Sequence, residues 1–396
     1  MRLLILLALL ATLMPAHVAA TPAAPIQFTR LALGEGSNDG TSVEGGRVLL
    51  MAGAASGRWT SALVEPGFDF TRLVASWNAE TPGDSSIRVE VQATTADGAP
   101  SDWYTLAIWA ATDQTMRRTS INGQADAIGR VDTDTLHARA VPFRSYGLRV
   151  TLQRAAPDSD SPSVRMLGAQ VSDTSFTPGQ ATSAPFGLDS VELSVPAYSQ
   201  EVHARHYPQY GGGGEAWCSP TSTEMVVEYW GRGPSPADLA WVNPDFGDPS
   251  VDHAARSSYD VAYRGTGNWP FNTAYAAGFG LDAFVTQLRS LTEAELFIRA
   301  GIPLVASIAS RPGELSGFLF DGGTNGHLVV IVGFDGSGNP IVNDPAAWSN
   351  TSVRRVYDRA QFERVWLRGS AGSVYVIHPS DVPLPAPLTA EATANW

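Results

Sequence analysis

With a single cysteine in 396 residues, this chain cannot close a disulfide on itself. Positive charge is also scarce, since 26 Lys+Arg stand against 39 Asp+Glu. A nucleic-acid ligand wants a basic stripe to neutralise its phosphates, and that balance argues against one. No apolar run reaches the roughly 20 residues of a membrane span, so none is expected in the mature chain.

The N-terminus does carry a shorter run. Arg2 precedes apolar residues from Leu3 to Met14, followed by a polar break at His17 and small residues at Val18, Ala19 and Ala20. That is the pattern of a cleaved secretory signal over residues 1–20, which predicts a secreted or periplasmic protein starting near Thr21. No cysteine follows the signal, which argues against a lipid anchor. The remaining length suits two domains of roughly 150 residues each. Both are large enough for ordinary cores, and neither a cofactor nor a structural metal is expected.

Exported proteins that use cysteine usually pair it. A lone thiol, Cys218, is therefore inert and buried, bridged to another chain, or reactive.

From about residue 26 to 172 the chain reads as short strands. Alternation is clear in Ile87-Arg-Val-Glu-Val-Gln92 and in Leu148-Arg-Val-Thr-Leu152, with turn chemistry at Pro82-Gly83-Asp84, Asp97-Gly98 and Asn122-Gly123. Period-two patterning at short spacing predicts an all-β antiparallel sandwich. Residues 173–190 are rich in Ser, Thr, Pro and Gly and read as a linker. A second, α+β domain is expected over 191–378. The proline-containing tail, 379–396, has too little apolar content to fold alone and is expected to be disordered.

Cys218 lies in Trp217-Cys-Ser-Pro-Thr-Ser-Thr-Glu-Met-Val-Val-Glu-Tyr-Trp-Gly231. Pro220 suits a first helical turn, Met225, Val226 and Tyr229 recur on one face, and Gly231 supplies the stop. The thiol thus stands at a helix N-terminus, where backbone N–H groups favour the nucleophilic thiolate. Its base should be a histidine. His327 opens Gly326-His-Leu-Val-Val-Ile-Val-Gly-Phe334, a nearly unbroken apolar run, which places a titratable ring at the mouth of a buried strand. The other histidines lie in the signal, the sandwich, loops or polar stretches.

A third member follows from the hairpin after that strand. Asp335-Gly-Ser-Gly-Asn339 is a turn, and Pro340-Ile-Val-Asn-Asp-Pro345 runs back. A two-residue turn at Gly336-Ser337 puts Ala346 opposite His327 and Asp344 on its face as a diagonal neighbour. If all five residues form the loop, the register slips by one and Asn343 faces the histidine instead. Either side chain can orient an imidazole. For the oxyanion, the candidates are the backbone N–H of Cys218 and the side chain of Gln200 in Val195-Pro-Ala-Tyr-Ser-Gln200.

Val195-Pro-x-Tyr-x-Gln200, the Cys-x-Pro-Thr-Ser helix ending Tyr-Trp-Gly, Gly326-His327 and Asn343-Asp344-Pro345 together resemble the papain-like cysteine peptidases related to the leader-processing (double-glycine) domains of bacteriocin exporters. The resemblance covers about residues 191–378. It implies a papain-like fold with Cys218 as nucleophile, His327 as general base, Asp344 as orienting residue and Gln200 as oxyanion donor. Two positions depart from the family: Ser219 replaces a common glycine, and the glycines Gly211 to Gly214 lengthen the gap between Gln200 and Cys218. No transporter domain follows, so processing coupled to export is not implied.

His203-Ala-Arg-His206 has metal-ligand spacing, but no carboxylate partner is evident and no metal site is expected. Trp59, Trp77, Trp103, Tyr104 and Trp109 could stack on glycans, although aromatics in strand patterns more often fill cores. Gly267-Asn-Trp-Pro-Phe-Asn272 suits either a cleft wall or core packing. The expected chemistry is hydrolysis of a peptide or amide through a Cys-His-Asp triad and a thioester, with cell-wall peptides among the substrates left open. Acyl transfer by the same triad and a catalytically retired binding protein are the alternatives.

Overall fold

The computed structural model describes residues 25–113, 116–175, 182–388 and 395–396. The expected signal over 1–20 lies outside them, as do parts of the linker and the tail.

The alternating runs of the N-terminal half are strands, and they find each other. Ser86–Thr95 pairs antiparallel with Phe143–Gln153, setting Leu148 opposite Val91, Val150 opposite Val89 and Leu152 opposite Ile87. All six side chains are fully buried, so both strands turn one apolar face inward, as period two requires. Among the described residues the half forms a five-stranded and a seven-stranded sheet, every pair antiparallel. The predicted turn at Pro82-Gly83 is present: Ser85 N–H donates to the Pro82 carbonyl at 3.1 Å, and Gly83 holds a φ of 56° that suits glycine. Trp59, Trp77, Trp109 and Tyr104 are buried in this core and cannot stack on a glycan. Trp103 alone of the five is partly exposed, beneath the Arg149 guanidinium at 4.2 Å.

The C-terminal half holds a third antiparallel sheet. Its strands run, edge to edge, Asp282–Gln287, Ser373–His378, Leu304–Ser310, Thr324–Phe334, Pro340–Asn343 and Arg354–Val356, with Val191–Glu192 added beside Phe334. Helices α1 (Cys218–Tyr229), α2 (Pro249–Ser258) and α3 (Trp269–Ala277) lie between the strands Val191–Glu192 and Asp282–Gln287. Helices α4 (Leu291–Arg299) and α5 (Arg359–Ser370) are threaded between its later strands. Helix α1 is buried from Ser219 to Val227, and its Met225 and Val226 share one apolar cluster with Val330 and Val332 of the sheet.

The two-domain layout holds, and the halves pack against each other. The strand Arg72–Glu80 is buried on both faces. Its Asn78 side chain pairs with Ala283 like a strand, donating to the carbonyl at 2.6 Å and accepting from the N–H at 3.2 Å. Ser76 accepts from Val285 N–H at 2.9 Å, and Phe28 stacks on Phe284 at 4.4 Å. The edge strand Asp282–Gln287 is therefore covered by the sandwich, which removes an exposed row of backbone donors and acceptors. Phe271 of α3 completes the sandwich core, 5.3 Å from Trp109 and 6.1 Å from Trp77, so Gly267–Asn272 packs inward.

The linker and tail are likewise held where they are described. Ser183 donates to Glu363 through its N–H at 2.7 Å and its hydroxyl at 2.6 Å, and the buried Arg359 donates to the Ser183 carbonyl at 2.8 Å. The tail was expected to be disordered, yet Asn395 is buried and Trp396 packs on Phe297 at 4.9 Å while donating to the Pro385 carbonyl at 2.7 Å. One terminal tryptophan supplies the apolar surface that composition averaged over the tail concealed.

Candidate active site

Cys218 is the first residue of α1 and is partly exposed. Trp217 precedes the helix without a side-chain cap, and its carbonyl accepts from Thr221 N–H at 3.0 Å. Polar residues of the buried helix are spent on fixing it. Ser222 donates to the carbonyl of Leu328 at 3.1 Å, one residue beyond His327, which pins the cysteine helix to the histidine strand. Ser219, where the family commonly has glycine, is fully buried with its hydroxyl 2.9 Å from that of Tyr375.

His327 lies in the strand Thr324–Phe334 opposite Ile308 and is almost wholly buried. Its Nε2–H donates to Asp344 Oδ1 at 2.7 Å, which leaves Nδ1 for Cys218. Burial alone would push this imidazole down. The charge and hydrogen bond of Asp344, then those of Cys218, outweigh it and leave the ring raised to about 10. Asp344 is fully buried, and burial would raise it. The His327 charge and hydrogen bond, with further bonds from Ala346 N–H at 3.0 Å and Tyr357 hydroxyl at 3.0 Å, hold the carboxyl below its ordinary value. Asn343 points elsewhere: its Nδ2 donates to the Pro196 carbonyl at 3.2 Å.

Gln200 is also buried. Its N–H donates to the Pro345 carbonyl at 2.8 Å, next to Asp344, and its Nε2 donates to the Glu215 carbonyl at 2.9 Å, three residues before Cys218. Nε2 also stands 3.3 Å from Glu201, whose carboxyl is raised chiefly by burial and lies within electrostatic reach of His327. All four residues named from the sequence thus belong to one neighbourhood. Three others were missed. Tyr357 completes the carboxylate's shell from beyond the edge strand, with no local signal. Phe320 sets its ring 5.0 Å from that of His327. The exposed Tyr263 feels the charge of Cys218 and covers the turn Gly265–Gly267, where a Cβ on Gly265 would stand 2.7 Å from its ring. The remaining histidines serve elsewhere. His253 meets Tyr275 at 3.1 Å and burial lowers it to about 4, and His378 bonds to Pro379 and Val382.

Residues 30–172 match the model of the Peptidase C39 N-terminal domain, and residues 192–374 match that of the Peptidase_C39 like family. Among solved structures the chain is similar to a C39-like peptidase from Bacillus anthracis, at 19% identity and a TM-score of 0.31, over 48% of this chain and 97% of that one. It is similar also to a family two carbohydrate esterase from Cellvibrio japonicus, at 13% identity and a TM-score of 0.19, over 41% of this chain and 37% of that one. Those TM-scores are too low to define a shared fold. No curated protein matches the chain. Between them the two family models take in most of the sequence, on either side of the linker, and the chain belongs to the C39 family of cysteine peptidases.

Proposed function

We propose that this protein is a secreted peptidase or amide hydrolase working through a Cys218-His327-Asp344 triad on a papain-like catalytic domain. The observation that carries the reading is the buried His327–Asp344 pair at 2.7 Å, set against Cys218 at the start of α1. The Cys218 thiolate attacks the carbonyl carbon of a peptide, and the C=O electron pair moves onto oxygen. Two donors can meet that oxyanion. The first N–H groups of a helix lack intrahelical acceptors, which leaves the backbone N–H of Cys218 available. The Gln200 Nε2 proton that faces Glu201 at 3.3 Å is its weaker engagement and the one an oxyanion can compete for.

Protonated His327 gives its proton to the departing amine, and the C–N bond breaks to leave a thioester. The neutral ring then takes a proton from water as hydroxide adds to the thioester, and the C–S bond breaks to release the acid and leave the Cys218 thiolate beside protonated His327. Asp344 remains ionised throughout, keeping the ring's Nε2–H in place. Export is supported by the N-terminal pattern of Arg2, the Leu3–Met14 run and Val18-Ala19-Ala20. Among the described residues no helix is long and apolar enough to cross a membrane.

The test is a peptide library and cell-wall fragments incubated with the chain and with Cys218→Ala, products being read by mass spectrometry. Cleavage present only with Cys218 supports the proposal. A new adduct when a primary amine is added would reassign the reaction to acyl transfer. No product and no labelling by a thiol-directed probe would leave a binding protein.

A further inference from the structure

We propose that His203, His206 and Asp252 form a binding site for one zinc-class divalent metal ion, which ties the turn carrying Gln200 to helix α2. The sequence showed only the paired histidines, and the fold supplies the carboxylate. The chain turns sharply at Arg205, whose φ is 67°, so that the two imidazoles stand perpendicular with centroids 5.3 Å apart. Asp252 comes from α2, 46 residues beyond His206, and its two oxygens lie 3.0 Å from His203 Nδ1 and 3.1 Å from His206 Nδ1. One ligating atom from each residue can be chosen so that all three lie within 4.8 Å of one another.

Two imidazoles and a carboxylate are a zinc donor set, with metal–ligand bonds of about 2.0–2.2 Å. In a tetrahedral site such bonds separate the donors by roughly 3.3 Å. The carboxylate oxygens already stand near that spacing from the imidazoles, and closing the remaining separation, within 4.8 Å, would admit the ion. Electrostatics favours the same conclusion. Asp252 is fully buried, and no arginine pairs with it among the described residues. A cation placed between the buried carboxylate and the two imidazoles would compensate its charge. Hydrogen bonding also leaves His203 half satisfied, since its buried Nε2 has no partner among the described residues.

The surroundings suit a structural ion. Phe246 stacks on His206 at 3.4 Å, and Trp217 lies 6.2 Å from His203, giving an apolar wall. The His206 side chain is 13% exposed, so water can complete the fourth position. His203 ends the short turn that begins at Gln200, and Trp217 immediately precedes Cys218. The ion would fasten the start of the loop that approaches the nucleophile to helix α2, whichever reaction Cys218 performs.

The test uses the full chain with Cys218→Ala, so that the thiol cannot take the metal. After treatment with a chelator, Co²⁺ is titrated and visible spectra are recorded. The expected result is the d–d absorption of four-coordinate cobalt, saturating at one equivalent and displaced by Zn²⁺, with an upward zinc-dependent shift in thermal midpoint. His206→Ala on the same chain should lose the absorption and the shift, with zinc affinity falling at least about tenfold. If the parent chain shows neither absorption nor shift, or if His206→Ala remains folded and keeps both, the site is only a carboxylate bridging two histidines.

Discussion

Val330 stands opposite Asn343, although the first pair of that hairpin, Phe334 with Pro340, would set it opposite Asp344 if the register ran unbroken. One residue, Val332, is extra on the histidine strand, and the pairing shifts across it from Gly333–Ile341 to Ile331–Val342. Such a bulge moves every later side chain to the other face of the partner strand. The turn is the longer one, with Asp335 N–H donating to the Asn339 carbonyl at 2.9 Å. Taken alone, it would have brought Asn343 to the histidine. The bulge restores the parity that brings Asp344 there.

Asp344→Asn should therefore lower kcat by on the order of a thousandfold or more, because the ring loses both its charge partner and its tautomer. Asn343→Ala should leave kcat within about tenfold. It removes the donor to the Pro196 carbonyl, so its effect belongs in stability, about 1–3 kcal/mol in a urea titration. The opposite ranking would mean that the bulge is misplaced.

Cys218→Ser should abolish measurable turnover while circular dichroism stays unchanged. The side chain is partly exposed, so the exchange removes little packing, and a hydroxyl is a poor nucleophile at a site built for thiolate. Retained turnover would remove the proposed mechanism.

The pH profile should keep activity well above neutrality and fall as His327 loses its proton near pH 10. The linkage has a definite sign. A raised folded-state pKa contributes stability that is complete below the unfolded value of about 6.5 and is lost as pH rises through about 10. Asp344→Ala removes the charge that raises the ring and leaves the burial that lowers it. The alkaline limb, read from residual activity or from an NMR titration of the imidazole, should move to lower pH. An unmoved limb would assign it to another group.

The catalytic half expressed alone from about Leu188 should aggregate or unfold, contrary to what the linker composition suggests. Without the sandwich, the edge strand Asp282–Gln287 and the face of Phe284 lie bare. In the intact chain, Asn78→Ala should cost about 2–4 kcal/mol, because it strands both the N–H and the carbonyl of Ala283. A soluble, active fragment would show that the interface is dispensable.

Local chemistry was enough to read Cys218 at a helix start and His327 at the mouth of a buried strand. A proline in the first turn and an unbroken apolar run act within a few residues of the groups they place. The alternation in Ile87–Gln92 and Leu148–Leu152 likewise predicted two strands, which prove to be direct partners. The choice between Asn343 and Asp344 was not local, because it turned on a single bulged residue whose carbonyl accepts from Leu193 at 2.8 Å, more than a hundred residues away. The same holds for Asn78 against Ala283 and for Asp252 between His203 and His206. Periodicity reports which face of an element is apolar, whereas these contacts depend on which elements meet, and that is decided only when the whole chain packs.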